Sequence, residues 1–123
     1  MTTQQELVRF LEDRFACAQA CTACARACVL RVGRTDPDAT GHEALVRQKA
    51  LWCAEVCDAT CRMLAEHNLQ DEPTLRLQTK WCLLVCLESA QLFDERPDAE
   101  AEAYARACRD CARACTEFLA TLN

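Results

Sequence analysis

The sequence predicts an all-α protein, an antiparallel up-down-up-down four-helix bundle with a cysteine-lined core, and three observations predict it. Only 2 of the 123 residues are Gly and 3 are Pro, aromatics make up 6%, and the good helix formers Ala, Leu, Glu, Arg and Gln dominate. Four long segments free of breakers are separated by three short stretches rich in them. Within those segments 12 cysteines recur at spacings of three and four, the period of one helix face. A hydrophobic content of 51% over this length suits a single domain, residues 1–123, that buries its own core.

The first helix spans roughly residues 4 to 32 and ends where "GRTDPDATG" supplies Gly33, Pro37 and Gly41 as breakers. The second, roughly 41 to 67, stops at "HNLQDEP". Pro73 opens the third, because a proline in the first turn forfeits an N–H that has no helical partner anyway, and that helix runs to about Phe93. "DERPDAE" then breaks the chain. Pro97 begins the fourth helix, whose Asp98, Glu100 and Glu102 suit the positive end of the helix dipole, and which continues to about Leu122. Links this short make consecutive helices antiparallel neighbours.

Every cysteine falls inside a helix: Cys17, Cys21, Cys24 and Cys28; Cys53, Cys57 and Cys61; Cys82 and Cys86; Cys108, Cys111 and Cys115. At about 100° per residue Cys17 and Cys28 differ by about 20°, so each set forms a stripe. Phe10, Val46 and Leu75 stand seven residues before Cys17, Cys53 and Cys82, and Phe118 follows Cys115 by three. The cysteine face is therefore the core face. The helices also repeat in pairs. "CAQACTACARAC" at 17–28 aligns on "YARACRDCARAC" at 104–115, with Tyr104 in the place of Cys17, and "WCAEVCDATC" at 52–61 aligns on "WCLLVCLESA" at 81–90, with Ala90 in the place of Cys61. Antiparallel packing then brings Cys21 level with Cys53 and Cys57 level with Cys86, lining a tube with sulfur. Leu7, Leu11, Leu45, Leu64, Leu83, Leu92 and Leu119 are expected to supply apolar surface outside the tube.

A few buried cysteines would need no explanation beyond packing, since a free thiol packs like a small hydrophobe. Twelve of them, in a chain with no Ile at all, sacrifice packing area. Disulfides between positions three or four apart on one helix rarely reach the required S–S torsion. "MTTQQELVRFLEDRFA" lacks the basic head and apolar run of a secretory leader, and no segment offers eighteen uncharged apolar residues. A cytoplasmic chain with no membrane partner is the expectation, and there glutathione keeps thiols reduced. Metal is the reading that remains. Thiolates select Cu(I), Zn(II) or iron–sulfur clusters. Zinc held by four thiolates leaves two uncompensated negative charges per site in an apolar tube, with no Lys or Arg on the stripes to offset them. One Cu(I) per thiolate leaves the interior neutral, and iron–sulfur sites favour compact CxxC runs over CxxxC spread along helices. The net charge of −5 and pI near 5.0 provide no basic surface for nucleic acid, and no nucleophile, base and orienting group combine into an enzyme site.

On these residues the chain resembles the bacterial copper storage proteins. The likeness spans nearly the whole chain and is carried by CxxxCxxCxxxC at Cys17 to Cys28, CxxxCxxxC at Cys53 to Cys61 and CxxCxxxC at Cys108 to Cys115. It implies a four-helix bundle holding many Cu(I) ions on inward thiolates, a homotetramer, and, without a leader, the cytosolic branch, where copper is sequestered. All 12 cysteines are the expected Cu(I) ligands. The chain departs from that pattern in its third helix, where Ser89, Ala90 and Phe93 stand where further thiols would continue, so its capacity is expected to be lower than in cysteine-richer relatives. The likeness also makes a His or Met near a mouth of the tube a candidate copper-uptake ligand. His42, on the flank of the second stripe, is the candidate, against the plainer reading of a solvated helix-start residue. His67 is expected to be exposed and Met63 to pack, and Trp52 and Trp81 to lie between helices or at a subunit contact. Two other readings stay open: a thiol-based redox protein, although no CxxC sits at a helix start where its pKa would fall, and a zinc buffer or copper carrier with few sites.

Overall fold

The computed structural model describes residues 3–66, 72–95 and 99–122. It contains four helices, α1 (Gln4–Gly33), α2 (Gly41–Ala65), α3 (Glu72–Asp94) and α4 (Ala99–Thr121). The expected starts and stops hold within a residue or two, and the expected start at Pro97 and the end of the second helix at His67 lie outside the described residues. Thr3 caps α1: its Oγ1 accepts from the Glu6 N–H at 3.0 Å, and the Glu6 carboxylate accepts from the Thr3 N–H at 3.1 Å, which satisfies two N–H groups that the first turn leaves without a partner. Gly41 opens α2 at φ +63°, a conformation that a side chain disfavours. Pro73 sits in the first turn of α3.

α1 packs on α2 and α4, and α3 packs on α2 and α4, so α1 and α3 face each other diagonally across an up-down-up-down square. The faces that meet are heptad stripes. On α2 the buried set includes Val46, Ala50, Cys53, Cys57, Thr60 and Leu64, on α3 Leu75, Thr79, Cys82, Cys86, Ser89 and Phe93, and on α4 Ala101, Tyr104, Cys108, Cys111, Cys115 and Phe118. Steps alternate between three and four, which keeps one seam facing the partners over many turns.

Apolar groups close both ends of this core. At the Cys17 end the rings of Phe10 and Phe118 lie 5.8 Å apart near buried Leu64 and Leu75. Arg14 Nε donates to the Leu64 carbonyl at 2.6 Å and Arg76 Nη2 to the Leu122 carbonyl at 2.8 Å, binding up carbonyls that the helix C-termini leave free. At the Cys28 end Phe93 meets Tyr104 edge-on at 6.2 Å, beside buried Val46.

The expected outer leucines divide. Leu64 is buried, while Leu7, Leu11 and Leu45 are exposed. They belong to a larger uncovered apolar set that includes Phe15 (64% exposed), Leu77 (70%), Trp52 and Trp81. α1 is also long and apolar enough to cross a membrane by length and composition. Its cysteine and alanine content produces that hydropathy, and its four cysteines are turned into the bundle.

Candidate metal centre

Eleven of the cysteines are fully buried, and their sulfurs form a continuous column along the bundle axis. Starting from the α1 N-terminal end, Cys17 Sγ lies 3.7 Å from Cys115. Cys21 lies 3.9 Å from Cys82 and 3.7 Å from Cys111. Cys57 touches Cys82 at 3.8 Å and Cys86 at 3.5 Å, as the sequence pairing of Cys57 with Cys86 anticipates. Cys24 then reaches Cys86 at 3.8 Å, Cys53 at 3.9 Å and Cys108 at 3.6 Å, and Cys28 closes the column 4.0 Å from Cys108. Cys53 thus meets Cys24 and not Cys21, a register shift of three residues, or about 4.5 Å.

Three sets of four sulfurs lie within 4.8 Å of one another: Cys21, Cys82, Cys111 and Cys115; Cys24, Cys57, Cys86 and Cys111; and Cys24, Cys28, Cys53 and Cys108. A tetrahedron of sulfurs about 2.3 Å from a metal has edges of about 3.8 Å, so the spacing suits metal binding as it stands. Cys24 and Cys111 each belong to two sets, which forbids three independent four-thiolate sites and requires bridging thiolates. Burial decides between metals on charge. Among the described residues the buried polar ones are Thr35, Thr60, Thr79 and Ser89, with no Lys or Arg among them. Eleven thiolates with three Zn(II) would leave five negative charges in that interior, whereas eleven Cu(I) leave none.

Cys61 is not brought into the column. It is half-buried, and its sulfur lies 3.0 Å from the Thr22 hydroxyl at the edge of the α1–α2 contact. The cause is angular. Eight residues after Cys53 a side chain has turned about 80° off the stripe, while seven residues after it, at Thr60, it has turned about 20°. Thr60 therefore takes the core position, its hydroxyl donating to the Val56 carbonyl at 2.7 Å. The same arithmetic puts Ser89 on the α3 stripe with Ala90 beside it. Tyr104, aligned with Cys17, is on its stripe and 8% exposed.

The thiols share protons. Cys17 is held down to about 5, mainly by its contact with Cys115 and then Cys21, against the opposing effect of burial. Cys24 is lowered, most by Cys108, and Cys82 is lowered, most by Cys111. Their neighbours go the other way: Cys57 is raised, most by Cys111, and Cys108 is raised, most by Cys24. A thiolate is stabilised where an adjacent thiol keeps its proton and donates it.

His42 does not face the sulfurs. Its Nε2 lies 3.2 Å from Glu95 Oε2, and it lines a surface cavity of about 150 Å³ with Arg31, Glu43, Val46, Phe93 and Tyr104. Arg31–Glu43 and Arg34–Glu100 ion pairs border the same end. Met63 is half-buried against the core, and His67 lies outside the described residues.

A family model of copper storage proteins matches residues 3–120. The chain belongs to the copper storage protein family. Solved structures agree on the fold of this copper storage protein. A histidine-to-alanine variant of Streptomyces lividans Ccsp is 31% identical, with a TM-score of 0.65, over 99% of this chain and 98% of that one. A cytosolic copper storage protein from Streptomyces lividans carrying five coppers is 31% identical, with a TM-score of 0.63, over 94% and 93%. Ccsp loaded with 10 copper equivalents gives 31% and 0.63 over 94% and 85%. No curated protein matches the chain.

Proposed function

We propose that this chain stores Cu(I) in the cytosol, on the thiolates of Cys17, Cys21, Cys24, Cys28, Cys53, Cys57, Cys82, Cys86, Cys108, Cys111 and Cys115. One observation carries the reading: eleven fully buried sulfurs, nine linked by contacts of 3.5–4.0 Å and the Cys17–Cys115 pair within 4.8 Å of them through Cys115, in an interior where no Lys or Arg is buried among the described residues. Monovalent copper bridged between thiolates fills such a column neutrally. Cys61, off the column, is outside this ligand set. The copper-loaded Streptomyces protein, described as cytosolic, supports the compartment.

We read residues 1–123 as one domain with no enzymatic activity, because the inward side chains of the described residues are thiols, hydroxyls and hydrocarbon, a lining suited to holding soft metal ions. Self-association fits the surface. Trp52 and Trp81 line a groove of about 360 Å³ with Lys49, Gln78, Val85 and Glu88, and Leu77 and Leu84, exposed on the same helix as Trp81, add apolar surface suited to a subunit contact. A homotetramer is the assembly we propose.

Anaerobic titration of the reduced protein with Cu(I) against a chromophoric chelator tests the central reading. Roughly eleven ions per chain are expected, about one per column thiolate. Saturation at one or two ions would make the protein a carrier, and tight binding of about three Zn(II) would favour a zinc buffer.

A further inference from the structure

The three sulfur sets are not equivalent. The middle one, Cys24, Cys57, Cys86 and Cys111, takes one thiol from each helix. The set at the Cys28 end takes two from α1, one from α2, one from α4 and none from α3. Where α3 would contribute, three residues and about 4.5 Å beyond Cys86 along the stripe, stands Ser89. It is fully buried, and its Oγ has no hydrogen-bond partner among the described residues.

Buried hydroxyls without partners are rare, because the lost water bonds go unreplaced. A local outlet exists. Thr22, Thr60, Thr79 and Thr116 each donate to the carbonyl four residues earlier, at 3.0, 2.7, 2.7 and 2.9 Å. Ser89 does not make the equivalent bond to Val85.

On the reading that the column holds Cu(I), we infer that Ser89 belongs to the copper site at the Cys28 end, where its hydroxyl is the hydrogen-bond donor to the copper-bound thiolates. Loading breaks each S–H bond, forms a Cu–S bond and releases the proton to solvent. In the metal-free column every thiol can donate to a neighbouring sulfur. Loaded, the column holds acceptors only. The buried hydroxyls of Thr35, Thr60 and Thr79 already donate to backbone carbonyls, whereas the O–H at Ser89 is uncommitted among the described residues and can answer a thiolate, and a bond to a charged sulfur is stronger than one to a neutral group. The hydroxyl thus destabilises the empty protein and stabilises the filled one at this end.

Ser89→Ala and Ser89→Cys, titrated beside the parent with Cu(I) against a chelator and melted metal-free, test this. Ser89→Ala is expected to bind as many ions as the parent, to surrender the last of them at about tenfold lower chelator concentration, and to melt a few degrees higher when empty. Ser89→Cys is expected to bind about one more ion and to shield its new thiol from alkylation when loaded. Copper retention in Ser89→Ala equal to the parent's, or free alkylation of the new cysteine in the loaded protein, overturns the inference. A parent that saturates at one or two ions overturns the storage reading itself, a result separate from variants that match a fully loading parent.

Discussion

Removing Cys57 or Cys61 separates a ligand column from a count of cysteines. Both belong to the motif CxxxCxxxC, yet Cys57 Sγ sits among Cys53, Cys82 and Cys86 at 3.9, 3.8 and 3.5 Å, and Cys61 Sγ has Thr22 for its neighbour. Cys57→Ala leaves ten buried thiolates. An eleventh Cu(I) would then place an unpaired positive charge in an interior whose buried polar side chains, among the described residues, are hydroxyls. Burying a lone ion costs several kcal/mol even after relaxation, which at about 1.4 kcal/mol per decade weakens that ion on the order of a thousandfold. The variant therefore saturates about one ion below the parent, and Cys61→Ala saturates level with it.

Native mass spectrometry of the loaded proteins resolves a difference of one copper, and alkylation supplies a second measure. In the copper-loaded parent a thiol reagent is expected to add once, at Cys61. A lost ion in Cys61→Ala, or protection of Cys61 that appears only with copper bound, would refute the exclusion of this residue and with it the angular argument that places Thr60 in the core.

Three further changes follow from the same geometry. Tyr104→Cys, on the stripe four residues before Cys108 and against Phe93, is expected to raise capacity by about one Cu(I) and to speed uptake in stopped-flow mixing by unplugging the Cys28 end, whereas Ala90→Cys, off the stripe like Cys61, leaves capacity unchanged. Phe118→Ala removes a fully buried ring that packs on Phe10 and is expected to lower the stability of the metal-free bundle by about 3–5 kcal/mol in denaturant titrations followed by circular dichroism. Copper retention against a chelator should fall as pH falls. Raised thiols such as Cys57 and Cys108 hold a proton that copper must displace at neutral pH, and below about 5 Cys17 regains its proton too, so the loss steepens there. Retention that stays flat from pH 8 to 4 would contradict thiolate ligation.

Much of this was legible in the residues because helix signals are local. Pro73 in a first turn, and Gly33 and Gly41 bracketing a link, are each decided by neighbours within a few positions, and the bundle follows from helices joined by short links. The inward stripe was legible because its chemistry and its period coincide. Cys61 shows where counting spacings of three and four stops short: two successive steps of four drift off the seam, and only strict alternation of four and three points to Thr60 and Ser89. The register between helices was less accessible. The partner of Cys53 depends on how far α2 slides along α1, and a slip of three residues, enough to exchange Cys21 for Cys24, leaves every local pattern intact. The outer leucines were ambiguous for a further reason, since an apolar residue that faces away from its own core reads the same whether or not another subunit covers it.

The closure of the column bears on the choice between storing and carrying copper. A carrier passes its ion by ligand exchange, in which a partner's thiolate attacks the metal while a donor thiolate still holds it, so at least one ligating sulfur must be reachable from solvent. Each of the eleven column sulfurs belongs to a residue with no exposed surface, and the two ends are closed by Phe10 with Phe118 and by Phe93 with Tyr104. An ion in the middle set, on Cys24, Cys57, Cys86 and Cys111, can leave only by passing from sulfur to sulfur toward an end. Contacts of 3.5–4.0 Å make each such step short, because a bridging thiolate can take up the next ion before releasing the last. Movement within the column is thereby easy and transfer to an outside ligand slow, and that difference in rates is what a store requires and a carrier cannot tolerate.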